Sequence, residues 1–101
     1  MMNIRDYIIL ILDKKKMTRA EFTRKINEIE EKLGEKKTNL QNITNYLNNP
    51  DESHNIGYKM ALKMEKALGL PDDTLLKMVK NPVSENGKKD FDIMKKKVRN
   101  L

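Results

Sequence analysis

The sequence predicts an all-α fold, a compact domain of five helices with an elongated second helix and a sixth amphipathic segment at its end. Three observations predict it. Apolar residues recur every three or four positions along most of the 101 residues, two Thr-x-x-Glu/Gln boxes mark helix starts, and glycine, proline or asparagine falls where each apolar series stops. Residues 1–80 read as the folded domain and residues 81–101 as a linker followed by a basic amphipathic segment.

Ile4, Tyr7, Ile8, Ile11 and Leu12 share one helical face in residues 3 to 16, leaving Ile9 and Leu10 on the other side. This run is short and β-branched enough to suit a strand as well; its helical face favours helix. "MTRAEF" then places Thr18 and Glu21 in a capping box, so a second helix starts near Arg19. Phe22, Ile26, Ile29 and Leu33 continue it, and Gly34 can take the left-handed cap. Thr38 and Gln41 form the second box, opening a third helix that turns Leu40, Ile43 and Leu47 inward until Asn48-Asn49-Pro50. Ile56, Met60, Met64 and Ala67 mark a fourth helix closing at Gly69. After Pro71, "DDTLLKMVK" has acidic residues first and lysines last, the polarity a helix dipole favours, and predicts a fifth. Phe91, Met94, Val98 and Leu101 form the apolar stripe of the terminal segment beyond "NPVSENG", for which a disordered basic tail is the alternative.

Composition narrows the function. Lys and Arg total 21 against 15 Asp and Glu, a net charge of +6 that favours an anionic partner. The chain has no cysteine and a single histidine, His54, so disulfides and the usual zinc sites are excluded and no cofactor is expected. "YIILIL" is too short to span a bilayer and Asp13 with three lysines follows it directly, so a cytoplasmic protein without membrane contact is expected. No phosphate-cradling glycine loop or Ser-His-Asp set is present, and Asp51-Glu52 and Asp72-Asp73 suit turns and caps, so no enzyme is expected. Met60, Met64 and Met78 have core spacing.

The third helix poses the sharper question. "TNLQNITNYLNNP" holds six amide side chains, and at 100° per residue Gln41, Asn42, Asn45, Asn48 and Asn49 fall opposite Leu40, Ile43 and Leu47. Asparagine is a poor helix former, so helicity does not explain the choice. A carboxamide presents donor and acceptor side by side, matching adenine N6 and N7 in the major groove. Asn39, Gln41, Asn42 and Asn45 are therefore candidate base-reading residues. For a set of amides in an asparagine-rich chain, the plain alternative is a solvated face.

A capped helix at "MTRAEF", a turn, the amide-faced helix and then "IGYKMALKMEKALGLPDDTLLKMV" together resemble the lambda-repressor-like, Cro/CI-type (XRE) helix-turn-helix family. The resemblance spans residues 3–80, and "ALKMEKALGLPDDTLL" is its most specific segment. It implies a five-helix domain whose second and third helices bind double-stranded DNA as a homodimer, with the third helix in the major groove. The chain departs from that pattern in "KINEIEEKLGEKK", which lengthens the passage between the two helices. Two registers follow. With Ile43 and Tyr46 in the family's buried positions, Gln41 and Asn45 read bases; with Leu40 and Ile43 there, the readers become Lys37, Thr38, Gln41 and Asn42. The Thr38 box favours the first, in which the extra turns of the second helix project as a lever.

Lys15, Lys16, Thr18, Arg19 and Arg24 surround the start of the second helix, while Lys36, Lys37 and Thr38 flank the third, and both groups are candidate phosphate contacts. Individually, such lysines are commonly just solvated. The expected function is a sequence-specific transcriptional regulator, a small repressor or an autorepressing antitoxin. The alternative is a protein-binding module on the same fold that inhibits another regulator. Ile9 and Leu10 with Phe91, Met94, Val98 and Leu101 are candidate dimer contacts, the tail covering the outer side of the first helix within one chain or across a twofold axis.

Overall fold

Asn3 opens the first helix: its Oδ1 accepts the Asp6 N–H at 2.8 Å, and α1 (Ile4–Lys15) ends where Lys16 turns left-handed at φ 53°. The computed structural model describes residues 3–48, 56–79 and 85–101. Thr18 caps α2 (Arg19–Leu33) by accepting the Glu21 N–H at 3.1 Å, and Gly34 at φ 72° closes it, as the box and the glycine predict. The second helix is indeed long, at 15 residues. After α3 (Leu40–Asn48) come α4 (Tyr58–Ala67) and α5 (Glu85–Arg99), with a 3-10 turn at Leu76–Met78 between them. No strand occurs among the described residues. Asn49-Pro50 and "DESHN", including His54, lie outside them.

The all-α expectation of five helices holds, but the fifth helix is a different segment. "DDTLLKMVK" forms turns at residues 72–75 and then the 3-10 turn. The reason is a side chain from the preceding helix: the Glu65 carboxylate accepts the N–H groups of Asp73 at 3.1 Å and Leu75 at 2.8 Å, while Asp73 sits left-handed at φ 70°. The left-handed Asp73 interrupts the right-handed backbone a helix needs, and the two bonds to Glu65 hold that turn in place. The two aspartates serve the last helix instead of a dipole. Arg99 Nη2 lies 2.7 Å from Asp73 Oδ1, Arg99 Nε 3.5 Å from Asp72 Oδ1, and Lys95 Nζ 3.8 Å from Asp73.

α5 starts at Glu85, inside the stretch expected to be a linker. It packs mainly on α4 and α2, where Phe91, Met94 and Val98 join one core cluster with Phe22, Ile26, Leu62 and Met64. Tyr58 meets Phe91 edge-on, with ring centroids 5.5 Å apart. These three residues are therefore interior residues of their own chain, and the cover over α1 expected within one chain is not formed; Ile9, Leu10 and Leu101 stay exposed. The terminal segment packs as part of the domain because a 15-residue helix, marginal alone, is stabilised once its apolar stripe is buried.

α2 is the central element, packed against α3, α4 and α5, while α1 packs on α3. Ile8 and Leu12 face inward from α1, with Ile4, Tyr7 and Ile11 half-buried at the edge, which matches the predicted face. Met64 is a core residue, and Met60 and Met78 pack against the core. None of the helices is long and apolar enough to cross a membrane among the described residues.

Candidate nucleic-acid interface

α3 presents two chemically distinct sides. Ile43 and Leu47 are buried and Tyr46 is half-buried, while Gln41, Asn42, Asn45 and Asn48 are exposed. This agrees with the register that buries Ile43 and Tyr46. Leu40 departs from the expected inward set: it is 45% exposed, because the first turn of α3 runs past the core and Leu40 faces a groove beside α2. Across the exposed side, Gln41 Nε2 donates to Asn45 Oδ1 at 3.1 Å. The two amides thus form one unit whose remaining chemistry still includes an acceptor on Gln41 and amide donors on Asn45.

The start of α3 is built differently from the predicted box. Asn39 caps the helix, its Oδ1 accepting the Asn42 N–H at 2.8 Å and its carbonyl the Ile43 N–H at 3.3 Å. Asn39 is therefore committed to the helix start, although it remains exposed. Thr38 is drawn away by Glu30, whose Oε1 accepts the Thr38 N–H at 2.8 Å and whose Oε2 accepts the Thr38 hydroxyl at 2.7 Å. With both donors engaged and the residue half-buried, Thr38 leaves the set of phosphate contacts and the Thr38–Gln41 box is not formed.

Glu30 was not singled out by the sequence. It is 1% exposed, and Lys63 Nζ of α4 donates to its Oε2 at 2.8 Å and to Glu35 Oε1 at 3.2 Å. Burial pushes the Glu30 carboxyl upward, but the bonds from Lys63 and Thr38 outweigh it and hold its pKa below the ordinary 4.5. Both charges flank their apolar stripes: Glu30 follows Ile26 by four residues and Lys63 lies between Leu62 and Met64. That placement was the available signal.

The cationic candidates divide by partner. Lys15, Lys16 and Lys36 are exposed, with no ion pair among the described residues. Arg19 Nη1 donates to Asn48 Oδ1 at 2.6 Å, tying the start of α2 to the end of α3. Arg24 pairs with Glu28 at 3.1 Å and Lys37 with Glu31 at 3.9 Å, both on exposed surface where such pairs exchange readily for another anion. Thr18 is exposed and uses its hydroxyl as the α2 cap. Between α2 and the first turn of α3 lies an open groove lined by Ala20, Thr23, Arg24, Asn27 and Leu40, among others; Asn27 Oδ1 itself is enclosed, without a hydrogen-bond partner among the described residues.

Compared with protein-family models, curated proteins and solved structures, the chain matches none.

Proposed function

We propose that the chain is a sequence-specific DNA-binding regulator, of the small repressor or autorepressor kind, that reads the major groove with the outer face of α3. The observation that carries this reading is the division of α3: Ile43 and Leu47 hold it to the core, and Gln41, Asn42 and Asn45 stand exposed on the other side, Gln41 bonded to Asn45. Amides on a helix offer bidentate contacts to adenine, and a net charge of +6 with open lysines at Lys15, Lys16 and Lys36 supports phosphate contact beside them. Arg24 and Lys37 join by exchanging their surface carboxylates for phosphate. A homodimer on two half-sites belongs to the same reading, with Ile9 and Leu10, 36% and 38% exposed on α1, as its apolar surface.

A fluorescence-anisotropy titration with duplex DNA from upstream of the chain's own coding sequence, run at two salt concentrations, tests this. Binding should weaken with salt, with a log–log slope of about −3 per protomer from Lys15, Lys16 and Lys36 alone. Absence of binding, or binding indifferent to salt, overturns the proposal. A second reading, a protein-binding module, is favoured by one observation: Leu40, an apolar side chain, stands exposed on α3 beside an open groove against α2. That arrangement suits a protein partner offering an apolar side chain.

A further inference from the structure

A carboxylate and an ammonium group, Glu30 in the last turn of α2 and Lys63 of α4, are buried against each other where the two helices pack. Compared with two well-packed apolar residues, such a pair adds little stability, since desolvation offsets most of the attraction. What it adds is direction, because hydrogen bonds fix angles that packing leaves adjustable. The directions here are specific. One Glu30 oxygen takes the Thr38 N–H, the other takes the Thr38 hydroxyl and Lys63 Nζ, and Lys63 reaches on to Glu35 in the same loop. Thr38 immediately precedes Asn39, the residue that caps α3. The lengthened end of α2 is accordingly not a free lever, since its last turns hold the loop that launches the amide-faced helix.

We infer that Glu30, with Lys63, is a positioning group for α3: through Thr38 it fixes where and at what angle the helix starts, and so sets the sequence discrimination of the Gln41–Asn45 face. The consequence for discrimination rests on the DNA-reading proposal. The consequence for the order of the loop rests on the geometry alone.

The test compares the wild-type chain with the double variant Glu30→Met/Lys63→Met, which removes both charges so that neither is left buried alone, and with Thr38→Val, which removes only the hydroxyl donor. Amide hydrogen exchange at Thr38 and Asn42 should quicken by about tenfold or more in the double variant, while Ile8 and Ile26 in the core keep their rates and the thermal midpoint changes little. Against a duplex that the wild-type chain enriches from a random pool, preference over scrambled DNA should fall by about tenfold with scrambled-DNA affinity unchanged. A purely structural pair would move stability and both affinities together. Should the double variant fail to fold, Thr38→Val carries the same two measurements with a smaller change in the same direction. Unchanged exchange at Thr38 and Asn42 overturns the positioning role whatever the DNA result, and faster exchange with undiminished preference overturns its link to specificity. If the wild-type chain enriches no sequence, the DNA-reading proposal fails, and the exchange rates still decide whether Glu30 and Lys63 hold the start of α3.

Discussion

Thr38 and Gln41 stand about one helical turn apart, yet the polar regions they belong to are opposites. Around Thr38 the donors and acceptors are engaged with one another: Glu30 and Lys63 are buried, and half-buried Glu35 and Thr38 close on them from the loop. Around Gln41 the amides sit in water, bound mainly to each other, with hydrogen-bonding capacity to offer a partner. The lesson is that polarity alone does not mark a site. Buried, satisfied groups specify the fold, whereas exposed groups on a helix held by a separate core are available for recognition.

The largest expected effect breaks the buried side. Lys63→Met leaves the Glu30 carboxylate enclosed without its counter-charge, and chemical denaturation should show a loss of about 3–5 kcal/mol; a loss below 1 kcal/mol would mean that water reaches the pair and the contrast with Gln41 is overdrawn. A third region sharpens the comparison, because the face α5 buries is apolar, with its ion pairs to Asp72 and Asp73 at the edge. Phe91→Ala should cost about 3–5 kcal/mol by the same measurement, whereas an appended tail would show almost none. Next in size is the cap between the two regions: Asn39→Ala should cost about 1 kcal/mol and fray the first turn of α3, visible in the exchange of the Asn42 amide.

Acid titration separates the regions by sign. The Glu30 carboxyl is held below its ordinary 4.5, so its contribution is fully present above that value and is lost as pH falls through the lower folded value. Wild-type stability should therefore be insensitive to this group at neutral pH and fall more steeply with acid than that of Glu30→Met/Lys63→Met. Equal acid slopes in the two proteins would contradict the assignment. The exposed amides do not titrate, and the smallest stability change belongs to them: Gln41→Ala and Asn45→Ala should each stay within about 0.5 kcal/mol of wild type in denaturation.

Most of the fold was legible because it is locally encoded. The apolar spacings of α1 and α2, the Thr18 cap and the Gly34 stop depend on residues within a few positions of one another and appear as expected. By contrast, α4 begins only at Tyr58, after Ile56, and buries Ala61 and Leu62 beside Met64 while Met60 and Ala67 stay half-buried. What misled were long-range competitors. Glu30 takes Thr38 from its own helix start across eight residues, and Glu65, bonded across eight and ten residues, holds Asp73 and Leu75 in a turn whose left-handed Asp73 no local capping or dipole rule anticipates. The terminal stripe was read correctly as apolar, but its partner is the α4/α2 surface, which no local pattern names. On the candidate site, the exposure of Gln41, Asn42 and Asn45 follows from the helical wheel, while the withdrawal of Thr38 and the capping role of Asn39 depend on the buried Glu30.

The central claim is that the α3 amides read DNA from a helix whose fold does not need them. Its most direct measurement is the binding of wild type, Gln41→Ala and Asn45→Ala to the enriched duplex and to a scrambled one under the same salt. The account predicts that each substitution lowers the preference for the enriched duplex by roughly 1–3 kcal/mol, with scrambled-DNA affinity and thermal midpoint unchanged. A preference equal to that of wild type in both variants would contradict it.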